Sequence, residues 1–152
     1  MYFGEYTYKV DEKGRVALPP AFRQHLKDGV VIRPGAEKCV VAKSYNEFQR
    51  EAAIIQDSRF SPAAKRRLER AIFGTAVLLN FDTQGRIHLP PNLKTYAGIS
   101  GDAVIVGRGI VEFEIWSKKD WEAENAQAVA DLADILEEMN NSQDGDTICC
   151  NG

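Results

Sequence analysis

The sequence is poor in the residues that build stapled, metal-bound or membrane-spanning proteins. Its 152 residues hold three cysteines, two of them adjacent at Cys149 and Cys150, which excludes a disulfide framework. Its two histidines, His25 and His88, stand alone, and no Cys-x-x-Cys or His-Glu-x-x-His spacing occurs, so no metal is expected. There is no P-loop. Gly107-x-Gly109 lacks the third glycine of a dinucleotide fingerprint and reads as a hairpin turn, so no cofactor is expected either. The longest aliphatic run worth naming, Ala76-Val77-Leu78-Leu79, is far short of the ~20 apolar residues a membrane span needs. Met1 to Lys9 has no apolar core of the kind a secretory signal carries. These absences predict a cytoplasmic chain of bacterial type with no membrane association and no small-molecule substrate. Catalysis needs convergent reactive groups, and too few are on offer to expect an enzyme.

What is present is an ordinary globular composition, 44% hydrophobic and 27% charged, sized for one domain or two small ones. The net charge of −3 hides an asymmetry. Residues 1–74 carry 14 basic and 9 acidic side chains, residues 75–152 carry 5 and 13. Opposite-signed halves fit a polyanion near the first half, or halves that face each other within or between subunits.

An internal repeat organises the chain. Asp11-Glu12-Lys13-Gly14-Arg15-Val16-Ala17-Leu18-Pro19-Pro20 recurs as Asp82-Thr83-Gln84-Gly85-Arg86-Ile87-His88-Leu89-Pro90-Pro91. Downstream, Val30-Val31-Ile32 answers to Ala103-Val104-Ile105-Val106, and Ser44 with Phe48 to Ser117 with Trp121. Two copies are too few for a solenoid, so a duplicated module is expected, its halves burying their cores against each other. In each module the pattern predicts a strand, a tight turn at Asp-x-x-Gly-Arg, a second strand, and a short helix opened by proline. A hairpin and a longer helix follow. The first strand is Glu5 to Val10, with Tyr6, Tyr8 and Val10 on one face. The longer helices carry start signals, Ser44-x-x-Glu47 as a capping box and Ser117-x-x-Asp120 as a variant.

The expected division is 1–60 for the first module, 61–74 for a connecting helix, 75–139 for the second module with its helix, and 140–152 for a disordered tail. Ser61-Pro62 opens the connecting helix and Gly74 closes it. Its Lys65, Arg66, Arg67 and Arg70 could meet phosphate. They could equally meet the acids of the C-terminal helix, where Val129, Leu132, Leu136 and Met139 make an apolar stripe, and the second pairing is favoured.

The repeated Asp-x-x-Gly-Arg is the specific signal. Four residues apart across a turn, a carboxylate can steady a guanidinium while glycine lets the backbone tighten. Asp11–Arg15 and Asp82–Arg86 are either turn staples or rigid mounts that present arginine to a phosphate or to guanine. Lysine could not replace arginine in the second role, because the two-pronged geometry would be lost. The first turn has Lys9 and Lys13 beside Arg15. The second has Thr83 and Gln84 and no cation but Arg86, so the first is expected to dominate electrostatically and Gln84 to add polar or base contacts.

The doubled Asp-x-x-Gly-Arg-[VI]-x-Leu-Pro closely resembles the SpoVT–AbrB type of swapped-hairpin domain. With Met1-Tyr2-Phe3-Gly4-Glu5-Tyr6 before it, the whole is similar to the MraZ family. Arg67-Leu68-x-Arg70-x-Ile72-Phe73-Gly74-x-Ala76, Tyr96-Ala97-Gly98-Ile99 and Phe113-Glu114-Ile115-Trp116 extend the likeness over roughly residues 1–121. Pro19-Pro20 departs from it, since that family more often has a single proline there. The resemblance implies an α+β fold: duplicated swapped-hairpin β-barrel modules packed as an intrachain pseudo-dimer, with helices after each. It also implies a sequence-specific DNA-binding transcriptional regulator of a bacterial division and cell-wall gene cluster, an autorepressor at the nucleoid. Such a regulator binds tandem promoter repeats in double-stranded DNA as a closed homo-oligomeric ring. The DNA-contacting residues it implies are Arg15, Lys13 and Arg86, with Asp11, Gly14, Asp82 and Gly85 shaping the turns. Lys9 is added on electrostatic grounds. Two other classes remain in view. One is a ring-forming scaffold that binds a protein partner through the acidic helix. The other is an antitoxin-like DNA binder, although such proteins normally carry one module and a long tail.

Overall fold

The β-strands of each half are completed by the other half. A computed structural model describes the backbone of residues 1–151 and the side chains of residues 1–143. In the first half, β1 (Glu5–Lys9), β2 (Arg15–Ala17) and α1 (Pro20–Arg23) are followed by β3 (Val30–Pro34), β4 (Val40–Ser44) and α2 (Tyr45–Asp57). After α3 (Pro62–Phe73) the order repeats as β5 (Val77–Leu79), β6 (Arg86–His88), α4 (Pro91–Tyr96), β7 (Asp102–Gly107), β8 (Glu112–Ser117) and α5 (Lys118–Asn151). An antiparallel six-stranded sheet runs β1-β7-β8-β4-β3-β5, and β2 and β6 form a separate two-stranded ribbon. β1 therefore pairs with the second half's hairpin, Glu5 opposite Val106, and β5 with the first half's, Ile32 opposite Val77. β4 and β8 join the halves at the centre, Ala42 opposite Phe113. This is the duplicated swapped-hairpin arrangement that the family resemblance implies.

Local chemistry explains the elements. In β1, Tyr6 and Tyr8 are half-buried while Glu5, Thr7 and Lys9 face solvent, the alternation of a strand with one covered face. The central strands β4 and β8 are covered on both faces, so that Lys43, Glu114 and Ser117 are buried along with Val40, Val41, Ala42, Phe113, Ile115 and Trp116. Both short helices begin with proline in the first turn, where its missing N–H costs nothing. α2 starts where the capping box predicts, with Ser44 Oγ accepting from the Glu47 N–H at 3.2 Å. The reciprocal arm is absent, because the Glu47 carboxylate pairs with Arg50 instead. α3 has no side-chain cap at Ser61 and relies on Pro62 alone. Gly107 earns its place by crowding: a β-carbon there would lie 2.4 Å from the Tyr2 and Phe3 backbone, which pairs with this hairpin through Gly109.

The core lies between the sheet, the ribbon and the short helices. Phe22 of α1 meets Tyr2, Tyr6 and Phe113 with ring centroids 5.1, 5.5 and 5.1 Å away, so one side chain ties the N-terminus, β1 and β8 together. On the other side, α2 is held by charge. Lys43, buried in β4, pairs with Glu51 of α2 and with Glu112 of β8 at 3.0 Å, and Arg33 reaches Glu51 at 2.6 Å. A buried ammonium is tolerated only with such partners.

The chain divides into two compact units, Met1–Lys118 and Lys119–Gly152. Within the second, Val129, Leu132, Leu136 and Met139 remain exposed along the helix. Where composition predicts a disordered tail from Asn140, the backbone of α5 continues as helix to Asn151. The side chains of that tail beyond residue 143, Cys149 and Cys150 included, lie outside the described residues. No helix among the described residues is long and apolar enough to cross a membrane.

Phe22→Ala is expected to cost about 3–5 kcal/mol, the usual range for truncating a buried aromatic. Urea unfolding would show it as a lower midpoint, and a loss below about 1 kcal/mol would contradict the central place given to this ring.

Candidate functional site

The two Asp-x-x-Gly-Arg turns have one geometry. In the first, Asp11 Oδ1 accepts from the backbone N–H groups of Lys13 (3.0 Å) and Arg15 (2.8 Å), and Oδ2 accepts from Arg15 Nε at 2.7 Å. In the second, Asp82 Oδ1 accepts from the backbone of Gln84 and Arg86, both at 2.9 Å, and Oδ2 from Arg86 Nε at 2.8 Å. Gly14 (φ 79°) and Gly85 (φ 73°) sit in the left-handed region that closes each turn and that other residues enter only at a cost. Each aspartate thus locks its own turn and holds an arginine by Nε. The outer nitrogens of Arg15 are left without a partner among the described residues.

The turns are brought together by the ribbon. β2 and β6 pair with Arg15 opposite His88, Val16 opposite Ile87 and Ala17 opposite Arg86. The turns also grip one another: Leu18 N–H donates to the Gly85 carbonyl at 3.3 Å and Leu89 N–H to the Gly14 carbonyl at 2.9 Å. Side chains alternate along each strand, so Val16 and Ile87 point into the core while Arg15, Ala17, Arg86 and His88 share the outward face. Arg15 and Arg86 are diagonal neighbours on that face, roughly 7–8 Å apart by the usual spacing of such positions. Arg86 Nη1 also stands 3.7 Å from Asp11 Oδ2, so a carboxylate of one half touches the arginine of the other.

Of the predicted residues, the ribbon gathers Asp11, Lys13, Gly14, Arg15, Asp82, Gln84, Gly85 and Arg86. Lys13 and Gln84 occupy matching, exposed turn positions. Lys9 lies apart, exposed in β1 on the six-stranded sheet and opposite Asp102. Two residues that motif reading passes over also belong here. His88 shares the outward face. Arg23 of α1 lies against Gly85, where an added β-carbon would fall 2.2 Å from its Nη1, and its Nε donates to the Leu18 carbonyl at 3.2 Å. The second turn therefore has a cation besides Arg86, contrary to expectation. Arg23 comes from the other half of the chain, which a local motif cannot reveal.

A two-stranded ribbon of this width is one of the elements that the major groove of DNA admits, and arginine forks on its outward face have the geometry to grip guanine or phosphate. A second cluster, Glu37, Cys39 and Glu114, brings three possible metal donors within 4.8 Å. It has poor ligand chemistry. Burial pushes the Cys39 thiol up to about 12, and the protonated sulfur donates to Glu114 Oε2 at 3.5 Å.

A family model described as "MraZ protein, putative antitoxin-like" matches the chain twice, over residues 1–71 and 72–142. The chain belongs to the MraZ family. Among its relatives, proteins named transcriptional regulator MraZ from Dehalococcoides mccartyi and Bifidobacterium longum are 42% and 39% identical to it. Each alignment spans 91% of this chain, and 98% and 95% of the relative. The protein of that name from Thermobifida fusca is 35% identical, over 88% of this chain and 95% of its own. MraZ proteins are thus named as regulators of transcription and not as enzymes, and the paired match agrees with the two halves seen in the fold.

The MraZ turns also make a prediction about protonation. The Arg15 N–H holds the Asp11 carboxyl below its usual 3.8, helped by the Arg15 side chain and the Lys13 N–H and opposed by partial desolvation. Asp82 is lowered in the same way, with the Arg86 N–H as the largest cause. A carboxyl lowered by folding adds stability that is present above its unfolded pKa and is lost as pH falls through the lower folded value. Both turns are therefore expected to stay locked at pH 5 and to loosen only below 3.8. Carboxyl chemical shifts followed by NMR would check this, and midpoints at or above 3.8 would contradict the geometry.

Proposed function

We propose that the chain is a sequence-specific DNA-binding transcriptional regulator that lays the β2–β6 ribbon into the major groove. The observation that carries the reading is the shared outward face on which Arg15 and Arg86 are each tied back by Nε to an aspartate. A guanidinium fixed at Nε keeps its outer edge for an external acceptor and has lost its rotameric freedom before binding. The separation of the two arginines, roughly 7–8 Å, is close to two base-pair rises of roughly 3.4 Å. Arg15, Lys13 and Arg86 are the main contacts in this reading. Gln84 adds polar contacts from the second turn, and Lys9 adds long-range attraction from the neighbouring sheet.

One ribbon binds modestly. Several copies in a closed homo-oligomeric ring, meeting promoter repeats spaced by about one helical turn of roughly 10 bp, gain on the order of 10²-fold or more by avidity. A face-to-tail contact that closes on itself is the symmetry such a ring requires. The target is read as the promoter of the chain's own division and cell-wall cluster, with autorepression at the nucleoid in the cytoplasm as the outcome. The family resemblance supports this part of the reading, and the names of the relatives support regulation of transcription.

The test is fluorescence anisotropy on a duplex from the promoter upstream of the chain's own gene, against a scrambled duplex, at two salt concentrations. Wild type is expected to prefer the promoter, with steep salt dependence from counterion release. Arg15→Ala should abolish the preference and leave the assembly intact. Arg86→Ala should weaken binding less, because Arg86 is the less exposed of the two (25% against 37%) and is shared between two carboxylates. Equal binding to both duplexes by wild type would favour the scaffold reading, and undiminished binding by Arg15→Ala would sink the site assignment.

A further inference from the structure

The ribbon is symmetric in backbone and unequal in side chains. Around Gly14 the nearest side chain is the His88 ring, with Nε2 3.5 Å from where a β-carbon would stand. By the repeat, the counterpart of His88 is Ala17, and the counterpart of Gly14 is Gly85. Ala17 is too short to cover Gly85. The room left over is taken by the Arg23 guanidinium, with Nη1, Cζ and Nε at 2.2, 2.5 and 3.0 Å from the same hypothetical β-carbon. Lys94, which repeats Arg23 in the second half, has no such place, because His88 already fills the first turn.

The position has a chemical consequence. Arg23 spends Nε on the Leu18 carbonyl, and neither of its outer nitrogens has an acceptor among the described residues. An anchored guanidinium with its outer edge unspent stands beside the turn that has Gln84 where the other has Lys13. It is mounted on α1, with its guanidinium over Gly85 at the end of the ribbon. Phosphates line the rims of a groove that a ribbon fills, so a cation at the ribbon's end meets the backbone of DNA and not its base edges.

We propose that Arg23 is a DNA-phosphate contact of the second turn, lent by the first half of the chain and admitted by Ala17. This rests on the DNA-binding reading and adds a residue and a role to it. The two turns then carry one accessory cation each, Lys13 from within the motif and Arg23 from across the fold, and the ribbon holds both DNA strands at its two ends.

Salt dependence separates a phosphate contact from a mere brace. Each neutralised phosphate contributes about 0.9 to the slope of log affinity against log salt. Arg23→Gln is expected to lower that slope by about 0.9 on the promoter duplex and to weaken binding about fivefold at 0.15 M salt. Arg23→Lys keeps the charge and should keep the slope. Thermal melting checks that each protein folds. If Arg23→Gln and Arg23→Lys both weaken binding with the wild-type slope, or if neither changes it, Arg23 is structural only and the proposal fails while the DNA-binding reading stands. If wild type itself shows no preference for the promoter duplex, that reading fails and takes this one with it.

Discussion

The reciprocal pairing of β2 with β6 is the constraint on which the rest of the molecule depends. Leu18 donates to Gly85 and Leu89 to Gly14, so each turn is completed by the strand that follows the other. Each turn is closed by its own aspartate, and the exchange fixes the two turns against each other. The same exchange is repeated in the large sheet, where β1 and β5 each complete the other half's hairpin. Burial of Val16, Leu18, Ile87 and Leu89 beneath the ribbon makes the exchange favourable, because separating the halves would expose that apolar face to water.

Rigidity at the surface follows from that burial. With one face of the ribbon sealed, the other must carry Arg15 and Arg86 outward, since alternation along a strand leaves no other choice. The aspartates then act locally, each with one oxygen on the backbone and one on Nε. Core packing sets where the arginines stand, and the carboxylates set how they point. The 3.7 Å approach of Arg86 to Asp11 shows that the two turns form one electrostatic unit.

Asymmetry enters through small differences laid over a duplicated frame. Ala17 against His88 changes what covers the glycine of the facing turn, and Arg23 occupies the space that results. Elsewhere the halves also diverge. Lys43 in β4 is buried with carboxylates from α2 and β8, and its counterpart Trp116 in β8 sends its Nε1–H to Glu114 at 3.0 Å. A duplicated chain can thus vary one half at a time without disturbing the shared backbone.

The sequence by itself determined the repeat, the two turns and the identity of their aspartates, glycines and arginines, because each turn is built from five consecutive residues whose chemistry is local. It also determined the helix starts at Ser44, Pro62 and the paired prolines, since caps depend on neighbours in the chain. The tertiary structure alone decided which strand completes which hairpin, that both arginines share one face, and that Lys9 belongs to a different sheet. It alone brought Arg23 beside Gly85, across some sixty residues of sequence. Those facts rest on pairing and burial between distant segments, and what fills the space over Gly85 is settled by the volume of Ala17 and not by any motif.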